Sequence, residues 1–108
     1  MKRNEFEMSI EMVGVMFTER LFALRSSFRY ARTFDELDTA HGEMIDLKEI
    51  AVSTLYKMCA PFVHITPETV ELLNVRDKYV REINSICDTL SRLDDTRFEQ
   101  LKAKGLKR

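Results

Sequence analysis

Apolar residues recur along the first third of the chain at Phe6, Ile10, Val13, Phe17, Leu21, Leu24 and Phe28, in steps of 4, 3, 4, 4, 3 and 4. That is the period of one helical face, and it predicts a helix over residues 4–32. Met8, Met12, Val15, Met16 and Phe22 widen the stripe. The polar remainder is narrow: Glu7, Glu11, Gly14, Thr18, Arg25, Arg29 and Arg32. A helix apolar over most of its circumference must be covered on several sides, so this one is either the central helix of a bundle or a self-association face.

A second helix is predicted over 34–60. Thr33-Phe34-Asp35-Glu36 fits a capping box, with the Thr33 hydroxyl taking the Glu36 amide and the Glu36 carboxylate reaching back to the Thr33 amide. Its apolar face is Leu37, Met44, Leu47, Ala51, Leu55 and Met58, with Ile45, Val52, Tyr56 and Cys59 beside it. Pro61 stops it, and Gly42 inside it costs about 1 kcal/mol relative to alanine and marks a candidate kink. A third helix is predicted over 67–93. Thr66 is its N-cap, Pro67 its first residue, and Ile65 and Val70 form a candidate hydrophobic staple. Its seam is Leu72, Val75, Tyr79, Ile83, Ile86, Leu90 and Leu93, interrupted at Asp94-Asp95. Residues 95–104 then read as a short fourth helix or a frayed continuation ending near Gly105. The connections are short, which predicts neighbouring helices antiparallel. The expected fold is all-α: an up-down-up bundle of three long antiparallel helices in a single domain over 1–108, with or without the fourth.

Composition agrees. An apolar fraction of 44% and a charged fraction of 32% suit a folded helical chain and argue against disorder, and 3 glycines and 2 prolines leave little punctuation for a many-stranded fold. Acids at Glu5, Glu7 and Glu11 break any signal-peptide core, and no run is long and apolar enough for a membrane span. Cys59 and Cys87 form neither a CxxC pair nor a disulfide framework, which points to a reducing compartment, the cytoplasm or a host's cytoplasm.

The formal net charge of −1 gives no support to bulk polyanion binding. Charge is nevertheless polarised. Residues 20–32 carry Arg20, Arg25, Arg29 and Arg32 and no acid; residues 33–46 carry Asp35, Glu36, Asp38, Glu43 and Asp46 and no base. The two runs flank a tight turn, and mutual pairing across it is the favoured account. The functional alternative is a nucleic-acid-binding regulator whose arginines, with Lys102, Lys104, Lys107 and Arg108, grip phosphates.

Two further features bear on partners. Phe62-Val63-His64-Ile65 is an unusually apolar loop; it either plugs the end of the bundle or anchors a partner. Met8, Met12 and Met16 either fill the core, the favoured account, or line an adaptable binding surface. Catalytic material is thin. Asp38-x-x-His41 with Glu43 and Asp46 falls short of a bundle-core metal set, which needs such a pair on two helices and further glutamates, and no phosphate loop or nucleophile elbow is present. The expectation is a small non-enzymatic protein without cofactor or metal: an adaptor, subunit or inhibitor of a larger protein, acting through a helical face and open to homo-oligomerisation through helix one. By analogy alone, such compact chains are common among accessory regulators of phages and mobile elements.

Overall fold

The computed structural model describes residues 3–62 and 66–107, with side chains from residue 6 onward. Three helices account for it: α1 (Arg3–Arg29), α2 (Phe34–Cys59) and α3 (Pro67–Ala103). No strand occurs among the described residues. All three helices pack on one another in a rod of 60 × 18 × 15 Å.

Contacts at the two ends give the helix directions. At one end Phe6, near the start of α1, meets Phe62, just past α2, edge to face at 4.7 Å. At the other, Phe34 at the start of α2 meets Phe98 late in α3 at 5.1 Å. His41, early in α2, reaches Asp94, late in α3. These contacts run α2 antiparallel to α1 and α3.

The core is the predicted one in outline. Ile10, Phe17, Leu21 and Phe28 of α1 are buried against Leu37, Met44, Ala51 and Leu55 of α2 and Leu72, Tyr79, Ile83 and Leu90 of α3. Val13, Leu24, Val75 and Ile86 are half-buried around them. Cys59 and Cys87 are buried free thiols. Burial pushes both pKa values up; Arg76 opposes the shift at Cys59 and Asp77 adds to it, while Lys48 and Asp88 play those parts at Cys87.

Helix ends depart from the expectation in three places, and the open question of a kink at Gly42 is answered. Helix α1 stops at Arg29, so Ala31 and Arg32 belong to the connection to α2. At the cap of α2 the Glu36 amide donates to the Thr33 hydroxyl at 3.1 Å, but the Glu36 carboxylate accepts from the Arg32 amide at 3.2 Å, one residue earlier than a capping box requires. Helix α2 passes through Gly42 without a break. Helix α3 does not end at Leu93: it continues through Asp94-Asp95 to Ala103, so the separate fourth helix is absent and the segment is a continuation. It closes at Gly105, whose positive φ of 86° lets the Leu106 amide reach the Leu101 carbonyl at 3.3 Å and the Gly105 amide reach that of Lys102 at 3.0 Å. At the other end of α3, Thr66 and Thr69 cap each other reciprocally at 2.7 and 3.2 Å. The expected staple to Ile65 lies outside the described residues.

Gly14 is the sharpest local difference. The sequence pattern puts it among the polar positions of helix one, yet it is buried where α1 crosses α3. A Cβ there would stand 2.6 and 2.8 Å from the Cδ atoms of Tyr79, so only a bare backbone lets that ring pack this close to α1.

Candidate functional site

Burying one face of α1 leaves the widened part of its stripe outside. Met8, Met12, Val15, Met16 and Phe22 are all exposed, Met12 to 70% and Met8 to 59%. Their spacing of 4, 3, 1 and 6 keeps them on one side of the helix, opposite Ile10, Phe17 and Leu21. Met8, Met12 and Met16 therefore do not fill the core as expected: the core-facing side of α1 is already occupied, and the described residues leave this surface uncovered. On the α3 side it falls into a shallow groove of about 430 Å³, lined by the three methionines, Val15 and Tyr79, with Glu11 at its edge and Glu19 in the middle of the stripe. Beyond Glu19 the groove continues into a second depression of about 540 Å³ between Phe22, Ala23 and Arg25 of α1 and Glu82 and Ile86 of α3. The two depressions meet at Glu19, and the second is the more polar, with Thr18 and Ser26 also in its lining.

The four arginines do not act as a unit. Arg20 lies five residues before Arg25, which turns it about 140° away around the helix, on the other edge of the stripe. Arg25 and Arg29 share the edge nearer α3. The Arg25 guanidinium sits over the Phe22 ring at 4.3 Å and so covers the end of the apolar stripe. Arg32, off the helix, faces Glu36 at 3.9 Å. The expected pairing of the basic run with the acidic run across the turn is confined to that contact: among the described residues, Arg20, Arg25 and Arg29 make no ion pair. Asp35, Glu36 and Glu43 instead border a depression of about 590 Å³ with Ser26, Ser27 and Tyr30.

Phe62 is half-buried on Phe6, in the position of a plug at the end of the bundle. Val63, His64 and Ile65 lie outside the described residues. His41 turns to Asp94, with Nδ1 to Oδ2 at 3.0 Å, rather than joining Asp38 as a ligand. Among the described residues, no group of three or more histidine, cysteine, aspartate or glutamate side chains is placed to hold a metal ion.

A second apolar surface is hidden in the sequence. Ile45, Ile50 and Tyr56 of α2 are exposed and, with Val52, Val80 and Asn84, line a groove of about 840 Å³ between α2 and α3. The periodicity of α2 puts Ile45, Val52 and Tyr56 at the margin of the core face and gives no signal at Ile50. The Arg76 guanidinium stacks on Tyr56 at 4.4 Å and pairs with Asp77 at 2.8 Å, so this patch is partly roofed by charge.

No protein-family model, no curated protein and no solved structure matches the chain. Among the described residues, no helix is long and apolar enough to cross a membrane.

Proposed function

We propose that this chain is a non-enzymatic protein-interaction module, an adaptor, subunit or inhibitor, that docks through the outer face of α1. One observation carries the reading: Met8, Met12, Val15, Met16 and Phe22 form an exposed apolar stripe, broken at Glu19, on a helix whose opposite face already fills the core. Scattered exposed apolar residues are ordinary, but a row of them beside a groove marks an interface. Methionine suits it, because an unbranched thioether repacks to fit a partner surface. Two buried, unpaired thiols favour a reducing compartment such as the cytoplasm.

The test is a photo-crosslinking amino acid placed at Met12 in the cell of origin, with the same probe at exposed Ser85 as control. A discrete covalent protein adduct at position 12, absent at 85, supports the reading. Equal or no labelling at the two positions overturns it.

Arg20, Arg25 and Arg29, exposed and free of ion pairs among the described residues, favour nucleic-acid binding as a second reading. Its signature is a steep fall of affinity with salt, flattened by replacing Arg25 and Arg29 together. No binding to duplex or single strands at low salt removes it.

A further inference from the structure

The charges flanking the α1 stripe are arranged so that the face complements itself in one orientation only. Glu11, Thr18, Phe22, Arg25 and Arg29, spaced by 7, 4, 3 and 4, share the edge nearer α3. Along that edge an acid stands toward the start of the helix and two bases stand toward its end. All three are exposed, and none makes an ion pair among the described residues.

Two copies set face to face with parallel α1 helices about a two-fold axis would put this edge of each against the other edge of its partner, where Ser9, Met16 and Ala23 offer neither Glu11 nor the arginines an opposite charge at their own height. An antiparallel pair related by a two-fold axis brings the same edge of each helix together, head against tail. Glu11 then meets Arg25 and Arg29 of the second copy, and the contact occurs twice. From this complementarity we propose that the partner of the α1 stripe is a second copy of this chain, in an antiparallel two-fold dimer centred near Thr18.

In that register Met12 falls against Phe22 and Ala23 of the other copy, and Met8 falls near the other Tyr30, which is itself 68% exposed. The apolar rows interleave along the groove. One feature opposes association: Glu19 lies mid-stripe and comes close to its own image beside the axis. The inference rests on reading the stripe as a docking face and names its occupant.

Sedimentation velocity on the full chain, from about 1 µM to about 1 mM, tests it. The expected wild-type behaviour is a reversible monomer–dimer equilibrium. Met12→Glu should weaken it at least about tenfold, since it replaces the most exposed apolar anchor of the stripe with a charge. Glu19→Gln should tighten it. The decisive arm is a charge swap. Glu11→Arg makes the edge wholly cationic and Arg29→Glu makes it mainly anionic, so each variant alone should dimerise more weakly than wild type. Their equimolar mixture should form a heterodimer tighter than either homodimer. Positions 11, 12, 19 and 29 are exposed, so the helical circular dichroism should be retained; a variant that loses it is replaced by Glu11→Gln or Arg29→Gln, which should weaken the dimer more mildly.

Monomer throughout the range, a dimer indifferent to Met12→Glu, or a mixture no tighter than its components overturns the proposal. The two failures separate cleanly. A monomer whose Met12 probe still captures a different protein ends the dimer and keeps the docking face; no adduct of any kind ends both.

Discussion

At the scale of single residues, two glycines illustrate opposite uses of a missing Cβ. Gly42 faces open space in the middle of α2, and a methyl group added there would meet nothing within 4 Å. Gly42→Ala should therefore stabilise by up to about 1 kcal/mol through helix propensity alone. At Gly14 the same substitution drives a methyl into the near end of the ring of Tyr79, which is 7% exposed. Gly14→Ala should destabilise by about 1–3 kcal/mol, as overpacking does. Urea denaturation of the pair, compared at constant m-value, checks both; a Gly14→Ala protein as stable as wild type would mean that the crossing of α1 and α3 is loose. The difference is invisible in the sequence, because the role of Gly14 exists only in combination with a tyrosine sixty-five positions away. The cysteines make a third residue-scale case. Raised thiol pKa values mean that the folded state holds these protons more tightly than the unfolded chain. Stability is then fully present below the ordinary thiol value near 9.0 and declines as pH rises above it. Near neutral pH both thiols should react with an aromatic disulfide far more slowly than in denaturant, and labelling at the unfolded rate would contradict their burial.

At the scale of elements, α3 shows why periodicity gives the existence and type of a helix more readily than its boundary. The apolar seam runs through Leu90 and Leu93 and pauses at Asp94-Asp95. The register continues nevertheless: Leu90, Asp94, Arg97 and Leu101 follow one another by 4, 3 and 4, and Leu101 is fully buried. Polar residues occupy two seam positions because each has a partner across the bundle. Asp94 takes His41. The Arg97 Nε–H donates to the Ala31 carbonyl at 2.7 Å, in the connection just past the end of α1. A guanidinium there also suits the negative end of the α1 dipole. Hydrophobic periodicity cannot register a seam position filled by a satisfied polar group, so it places the end of the helix where only the apolar signal pauses. Phe98, which packs on Phe34, and Leu101 are the signs in the sequence that the helix goes on. Arg97→Ala should cost about 1–3 kcal/mol, because it strands a carbonyl of a buried residue. The amide exchange of the turn between α1 and α2 should rise with it. An unchanged melting midpoint would show that water satisfies Ala31 equally well.

At the scale of the molecule, three long helices packed side by side can hide only the side of each that faces the other two. Helices α2 and α3 carry apolar residues roughly to that extent, with the patch at Ile45, Ile50 and Tyr56 as the excess. Helix α1 carries far more, and its surplus is legible in the sequence as a stripe too wide for one neighbour; what the sequence leaves open is whether the chain covers it. The rod leaves it bare. This separates two kinds of methionine and phenylalanine that composition alone merges. If Met8, Met12 and Phe22 contributed to the core, replacing each by lysine would cost several kcal/mol. Because they are exposed, the Met8→Lys, Met12→Lys and Phe22→Lys substitutions should each change stability by no more than about 0.5 kcal/mol. Leu21→Ala, one position from Phe22 but fully buried, should cost about 2–5 kcal/mol. The triple lysine variant should thus melt close to wild type while losing any association that the stripe supports. Thermal unfolding run alongside sedimentation reads the two properties independently. A triple variant that unfolds would place these residues in the core, and one that folds and associates unchanged would free the stripe of a binding role. A variant that folds but no longer associates would show that α1 carries apolar residues for association that the monomer does not need.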